Sequence, residues 1–392
     1  MPYPVVAVER SGALVMLTPS GSEWYRRALH PSGRWPSWNP ARDLLAISVI
    51  EQRGEGLQSE LHLINTAGTL VRVAHSGGED VPPVIAPRLP HYALWSPAGD
   101  VLSYVAPSEF GLGLFLTHAD GTFISDPIIT GAPLFHSWCG DNNFIAVHAG
   151  RELAVVEVEG SRTTASVADP AVGFRAPAYS DDAEILAYAV AVEGGVAVMR
   201  ALFQGTGSRE IRRFAGGVAL AFRPQTCELS VAVTRRPDTG TFDELWQMDL
   251  SQHPSHEALA WTGPFVSFAW SPEGSRLALI VPAQSGDGRY RLQTLHPDGR
   301  YSAATEPFLP SQDFRTAIGF FDQYNQSHNL WSPDGSHIVV SGRLANDSVS
   351  PSFGDPEGDF AMVWEVAPRS PFATLAPAEL AFFPPLAKPL RR

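Results

Sequence analysis

Cysteine and long apolar runs are scarce in this chain of 392 residues. Cys139 and Cys227 are its only cysteines, so a disulfide framework does not hold the fold together. No run reaches the roughly 18 apolar residues that a membrane-spanning helix needs. The first residues lack the basic and apolar regions of a secretion signal. We therefore expect a cytoplasmic protein without membrane insertion, unless an export signal has been removed.

Positive charge is scarce as well, because 28 Lys and Arg residues stand against 41 Asp and Glu residues. The formal net charge of −13, without any basic stripe, disfavours a phosphate backbone and so excludes nucleic acid as a partner. The sequence also lacks a G-x-S-x-G nucleophile elbow, a P-loop and a dinucleotide fingerprint. We therefore expect no cofactor and no nucleophilic catalysis.

Turn-forming residues are abundant, with 34 glycines and 34 prolines. This density favours many short strands over long helices. A Trp-Ser-Pro-x-Gly motif followed by a short apolar run occurs three times, and degenerate copies keep the aromatic first residue. The copies begin at Trp38, Trp95, Trp138, Tyr179, Phe222, Trp270 and Trp331, at intervals of 41 to 61 residues. That interval is typical of one four-stranded propeller blade with a variable loop.

The motif resembles the repeat of TolB-type β-propellers and of the propeller domains of dipeptidyl-peptidase-type enzymes. The resemblance covers nearly the whole chain and implies an all-β propeller of WD40-like, four-stranded antiparallel blades. No catalytic α/β-hydrolase segment follows the repeats, unlike in those peptidases. Because such propellers serve as docking platforms, substrate gates and occasionally enzymes, the resemblance leaves the function open.

The two chain ends complete the count of blades. Residues 5–29 read as three strands that lack a partner, and residues 380–384 echo the inner strand at 220–224. We predict an eight-bladed β-propeller, a single domain over 1–392, with blade 1 shared by 5–29 and 380–384. The other blades are predicted to begin near 36, 93, 136, 177, 220, 268 and 329. The alternative is a seven-bladed propeller with a partly irregular N-terminal segment.

The motif tryptophans are expected to pack between neighbouring blades, since the same position recurs in every repeat. Functional residues should instead lie where the repeats differ. Polar residues near the starts of the inner strands form one candidate cluster at the channel mouth, which would bind an anion or a metal. Its members are Arg34, His91, His136, Arg175 and His328. The simpler interpretation is that they solvate a water-filled tunnel.

The second candidate is an insertion at 302–330, in a repeat unit about 18 residues longer than the compact ones. Its mixture of aromatic, acidic and amide side chains suits recognition of a peptide or a sugar. The candidate binding residues are Phe320, Phe321, Asp322, Tyr324 and His328. The alternative is a packed plug, with Phe320 and Phe321 buried against the end of the propeller.

Two functions follow from these features. The first is a non-catalytic scaffold that binds a protein or peptide through the channel mouth and the 302–330 insertion, alone or within a larger complex. The second is a metal-assisted lyase or hydrolase acting on polysaccharide. That activity is implied only by the resemblance to TolB-like propellers that use channel histidines and arginines.

Overall fold

A computed structural model describes fourteen stretches of the chain: 3–21, 23–53, 56–77, 92–109, 111–120, 126–140, 142–158, 162–168, 170–180, 184–236, 240–251, 255–283, 287–344 and 358–386. The protein is nearly all-β, with 60% strand and 4% helix. The strands form antiparallel sheets in which consecutive strands are neighbours. This meander is what frequent turn residues between short apolar runs predict.

The first 23 strands make five complete four-stranded sheets and three strands of a sixth. The three strands are β1 (Val5–Val8), β2 (Leu14–Ser20) and β3 (Glu23–His30). The first complete sheet holds β4 (Arg34–Trp38), β5 (Leu44–Arg53), β6 (Gly56–Asn65) and β7 (Leu70–Gly77). The second holds β8 (Tyr92–Trp95), β9 (Val101–Ser108), β10 (Gly111–His118) and β11 (Ile129–Gly131). The third holds β12 (Leu134–Trp138), β13 (Phe144–Ala149), β14 (Glu152–Glu157) and β15 (Arg162–Ala168).

Two more complete sheets follow along the chain. One holds β16 (Ala178–Ser180), β17 (Ile185–Val192), β18 (Gly195–Leu202) and β19 (Arg209–Phe214). The next holds β20 (Val218–Phe222), β21 (Glu228–Val233), β22 (Phe242–Asp249) and β23 (His256–Phe265). In each of these sheets the motif aromatic lies at or near the end of the first strand, so the motif itself forms the first turn.

The last part of the chain forms one continuous eight-stranded sheet. It holds β24 (Ser267–Trp270), β25 (Leu277–Pro282), β26 (Tyr290–Leu295), β27 (Tyr301–Ala304), β28 (Phe308–Pro310), β29 (His337–Leu344), β30 (Phe360–Glu365) and β31 (Phe372–Pro377). Two helices, α1 (Gln312–Gly319) and α2 (Phe321–Tyr324), separate β28 from β29. Strand β28 pairs with both β26 and β29 and so joins two blade-like groups of strands.

The final strand, β32 (Leu380–Phe382), pairs antiparallel with β1 and places Val6 opposite Phe382. The terminal sheet thus has the order β3-β2-β1-β32. Sheets that follow one another along the chain touch, as in the contacts of β4 with β1 and β8 and of β16 with β12 and β20, and β29 touches β32. The contacts therefore close a ring, which is consistent with a β-propeller.

Motif copies build turns and contacts between sheets. At the second copy, the amides of Gly99 and Val101 donate to the Ser96 hydroxyl oxygen, and Gly99 adopts a positive φ of 80°. The indole N–H groups of three buried tryptophans reach the preceding group of strands, where each donates to the carbonyl of the residue before a motif aromatic. These hydrogen bonds are Trp95 to Ser37 at 3.1 Å, Trp138 to Leu94 at 3.1 Å and Trp331 to Ala269 at 3.0 Å.

The predicted inner strand at 329 departs from the repeat. Residues 329–331 form only isolated bridges, from Asn329 to Phe383 and from Trp331 to Ile338. The physical reason is that the segment leads directly out of the helical insertion. The ring of His328 lies 4.6 Å from that of Phe382, so the segment also packs against the terminal sheet.

Candidate functional site

The 302–330 insertion lies across the starts of several inner strands. Helix α1 begins after Ser311, whose hydroxyl oxygen accepts from the Phe314 amide at 3.1 Å. The same hydroxyl donates to the Glu379 carbonyl at 2.5 Å, which ties the helix to the terminal sheet. Helix α2 contacts β12, β20 and β24. The insertion is therefore anchored to several sheets of the ring at once.

The two predicted channel arginines bind carboxylates of this insertion. Arg34 Nη1 lies 3.6 Å from Asp313 Oδ2, and both side chains are partly exposed. Arg175 Nε donates to Asp322 Oδ2 at 3.1 Å, and its Nη2 lies 2.7 Å from Oδ1. Arg175 Nη1 also donates to the Gly319 carbonyl at 2.6 Å. The anions that these arginines contact thus come from the chain itself.

The predicted histidines lie in a buried aromatic chain. The His136 ring lies 5.1 Å from Tyr92, Tyr92 lies 5.4 Å from Tyr324, and Tyr324 lies 5.2 Å from His328. Tyr324 also stacks on Trp35 at 4.8 Å. Tyr92 donates its hydroxyl to the Gln323 carbonyl at 2.6 Å, so the insertion is hydrogen-bonded to the wall of the ring. The two histidines are linked by packing and are separated by two tyrosines.

Burial keeps both imidazoles neutral. It lowers the pKa of His136 to about 3, while its Nε2 lies 2.8 Å from the Ser103 hydroxyl. Burial also lowers the pKa of His328 to about 3, against an opposing contribution from the Trp35 backbone. Neutral, packed imidazoles at these positions contribute to the core, and their protonation is costly.

The two neighbouring phenylalanines of the insertion have different environments. Phe321 is buried, with its ring 5.0 Å from Phe268 and 5.7 Å from Phe242. Phe320 is 41% exposed, and the Arg175 guanidinium lies 5.0 Å from its ring centre. The packed-plug alternative therefore describes Phe321, while Phe320 lies at the solvent side of the plug. His91, the remaining candidate, lies outside the described residues.

A cavity of about 470 Å³ lies at the opposite ends of the inner strands. Its walls carry the motif residues, among them the half-buried aromatics Tyr179, Phe222 and Trp270. Its floor comes from the insertion, through residues such as Asp322 and Asn325. Asn325 Nδ2 donates to the Phe268 carbonyl at 2.6 Å, which fixes the floor against the wall. The insertion and the inner strands thus line one pocket together.

Two of the predicted residues, Asp322 and His328, line this pocket, but sequence reasoning pointed to the starts of the inner strands and did not single out the residues at their ends. The signal was present in the recurring motif, since equivalent positions of a ring of repeats must converge around its axis. Asp313 and Tyr92 were missed as well. In the sequence, Asp313 is marked only as an acidic residue within the insertion, and Tyr92 only as an aromatic residue next to His91.

No metal centre emerges from the residues that the structure describes. Within these stretches, no three His, Cys, Asp or Glu side chains are grouped so that they could hold a metal ion. His136 and His328 do not come together as a ligand pair, because two tyrosine rings separate them.

Comparison with solved structures supports the fold. The structure of a eukaryotic initiation factor aligns over 100% of both chains, at 12% identity and a TM-score of 0.57. The dihydro-heme d1 dehydrogenase NirN in complex with DHE aligns over 98% of this chain and 75% of its own, at 12% identity and a TM-score of 0.60. At such identities these likenesses show the fold alone, and together with the ring of sheets they support a β-propeller.

TolB from Acinetobacter baumannii aligns over 88% of this chain and 84% of its own, at 11% identity and a TM-score of 0.40, which is too low to carry an argument. No protein-family model and no curated protein sequence matches the chain. The TolB-type resemblance therefore rests on the repeat motif. No helix within the described stretches is both long and apolar enough to cross a membrane.

Proposed function

We propose that the chain is a single eight-bladed propeller domain that binds a protein or peptide without catalysis. Eight blades are supported by the way the eight-stranded sheet divides at β28. Strands β24–β27 make one four-stranded group, and β29–β31 with the bridges at 329–331 make another. The binding site is the pocket at the Trp-Ser-Pro ends of the inner strands, and the 302–330 insertion serves as its floor.

The pocket is the observation that carries this proposal. A volume of about 470 Å³ falls in the range of ligand sites, which are concave, mostly apolar and lined by a few placed polar groups. Aromatic side chains at its rim suit a protein partner, because they are enriched at interfaces. The acidic chain, with a net charge of −13, favours a partner of neutral or basic character.

Two glutamines of the insertion offer a matched test. Gln326 is exposed and lines the pocket, whereas Gln312 is exposed on α1 and does not line it. Gln326→Trp should fill the pocket, and Gln312→Trp makes the same chemical change outside it. We expect proteins retained from native extract by the unaltered protein to remain with Gln312→Trp and to be lost with Gln326→Trp. Each protein lost in this way should then show the same difference when purified.

Each outcome of the two glutamine substitutions has a different meaning. Retention unchanged by Gln326→Trp would refute the pocket as the binding site. Loss with Gln312→Trp alone would place the partner at the plugged end of the channel instead. Equal midpoints of urea unfolding for both variants would show that the difference arises from the site and not from instability.

A further inference from the structure

The segments that lead from the motif aromatics to the next strands, here called the motif turns, lie side by side around the pocket. Hydrogen bonds between turns of different sheets hold them there. These bonds join Ala98 to Asn142 at 2.7 Å, Ser180 to Thr226 at 3.0 Å and Arg223 to Gly274 at 2.7 Å. Each motif turn follows directly on residues that line the pocket, so the turns form its rim.

Five of the motif turns carry an exposed acidic side chain. These residues are Asp43, Asp100, Glu184, Glu273 and Asp334. None of the five forms a salt bridge with a described residue. The hydrogen bonds that they accept come from neutral hydroxyl or amide groups of the same turn, as between Ser96 and Asp100 at 2.7 Å. Such donors leave the negative charge of the carboxylate in place.

The arginines of the motif turns neutralise this rim only in part. Among the described residues of these turns, six carboxylates stand against three arginines. The sixth carboxylate, Glu228, pairs with Arg223 at 3.2 Å. The other two arginines donate to main-chain carbonyls outside these turns. Their hydrogen bonds run from Arg42 to Pro385 at 2.8 Å and from Arg276 to Val366 at 3.2 Å. The rim therefore keeps a net negative charge.

The walls of the pocket suit a guanidinium group. Three half-buried aromatic rings line it: Tyr179, Phe222 and Trp270. The Arg223 guanidinium lies 5.5 Å from the centre of the Trp270 ring, so this wall already packs against one guanidinium of the chain itself. A guanidinium stacks on aromatic rings and pairs with a carboxylate through two parallel hydrogen bonds, and the ammonium group of lysine lacks this planar geometry.

The acidic rim lies close to the pocket along the chain. Asp100 stands three residues after the pocket-lining Pro97, and Glu273 directly follows the pocket-lining Pro272. Three residues span at most about 10 Å, which an extended peptide with long side chains can bridge. Asp322, at the base of the pocket, is already paired with Arg175, so the attraction for a cation comes from the rim.

We propose that the pocket takes an extended, arginine-containing segment of a partner protein. Arginine side chains of the segment stack on the aromatic walls, and neighbouring ones pair with the carboxylates of the rim. Attraction between an acidic rim and a basic segment speeds association, and salt weakens it. The inference rests on the proposed function and names the chemistry of its partner.

The test uses a fluorophore-labelled decamer of alternating alanine and arginine, here called the arginine peptide. Its binding is measured by fluorescence polarisation with the protein titrated up to about 1 mM in about 50 mM salt. Decamers in which lysine or glutamine replaces arginine are the comparison peptides. We expect the arginine peptide to bind most tightly, the lysine peptide to bind more weakly, and the glutamine peptide not to bind.

Two double variants separate the rim from the overall charge of the protein. Glu184→Gln with Glu273→Gln removes two rim charges, and we expect it to bind the arginine peptide roughly three- to tenfold more weakly. Glu152→Gln with Glu193→Gln is the matched control, because these exposed glutamates lie in hairpins at the opposite ends of the strands. The same charge change there should alter the affinity less than about twofold. Because all four side chains are exposed, both variants should unfold at the same urea concentration.

The chain's own residues 387–392 are the competing occupant, because they follow the pocket-lining Leu386 and contain three basic side chains. A variant that combines Lys388→Gln, Arg391→Gln and Arg392→Gln tests them. If it binds the arginine peptide more than about tenfold more tightly than the unaltered protein does, the occupant belongs to the chain itself and the inference is wrong.

The inference also fails if the arginine peptide does not bind, if the lysine or glutamine peptide binds as tightly, or if the two double variants bind the arginine peptide equally. Each of these results leaves the proposed function standing if Gln326→Trp still abolishes partner retention. If Gln326→Trp leaves every retained partner bound, the proposed function fails by itself.

Discussion

Replacing His136 by glutamine removes a fully buried imidazole and gives the sharpest check on how the core responds to acid. The pKa of His136 is lowered by burial from 6.5 to about 3. In the unfolded chain the same imidazole is protonated below its ordinary pKa. The folded state therefore gains stability from this group above about pH 6.5, and loses it as the pH falls from there towards 3.

The size of the effect follows from the two pKa values. A pH of about 5 is about 1.5 units below the pKa of this histidine in the unfolded chain, so the unfolded histidine is protonated while the folded one remains neutral. At about 1.36 kcal/mol per unit, the free energy of unfolding falls by about 2 kcal/mol between about pH 8 and about pH 5. His328, whose pKa is also lowered to about 3, contributes a similar loss. His136→Gln retains an amide that can bond the Ser103 hydroxyl, and it lacks this titration.

Urea unfolding followed by tryptophan fluorescence measures the effect at both pH values. The difference in unfolding free energy between His136→Gln and the unaltered protein should shift by about 2 kcal/mol in favour of the variant on going to the lower pH. His256→Gln, at an exposed position on β23, is the control for replacing a histidine outside the core. Parallel pH curves for His136→Gln and the unaltered protein would refute the argument that burial keeps this imidazole neutral.

Three further changes test the fold. Trp331→Ala should lower the free energy of unfolding by about 3–5 kcal/mol, because it removes a buried indole and its bond to the Ala269 carbonyl. Phe321→Ala should cost about 3–5 kcal/mol and Phe320→Ala less than about 1 kcal/mol, and equal costs would contradict the described plug. Ending the chain after Glu379 removes β32 and leaves β1 without its inner neighbour; calorimetry should then show a markedly lower unfolding temperature, and an unchanged one would contradict the ring closure.

The sequence predicts the regular part of this fold well and the insertion poorly. Aromatic motif residues and turn glycines mark the strands because those features are local. The strand at 380–382 was predictable because it echoes an inner strand elsewhere in the chain. Helices α1 and α2 were not predicted, since their burial depends on contacts with distant strands such as β12 and β20.

The candidate site shows the same division. Arg34 and Arg175 were identified from their positions, but their carboxylate partners lie more than a hundred residues away in sequence. Pairing at such separation is set by the closed ring and leaves no local pattern.

Strand β28 has a consequence for how the protein opens. Phe308 is in register with Tyr290 on one side and Leu344 on the other, so a single short strand is shared by two groups of strands. Local unfolding of either group must break this shared ladder. We therefore expect strands β24 to β31 to open more cooperatively than the separate four-stranded sheets. Helices α1 and α2, at the base of the pocket, connect β28 to β29, so we expect the base of the pocket to open only together with this shared strand.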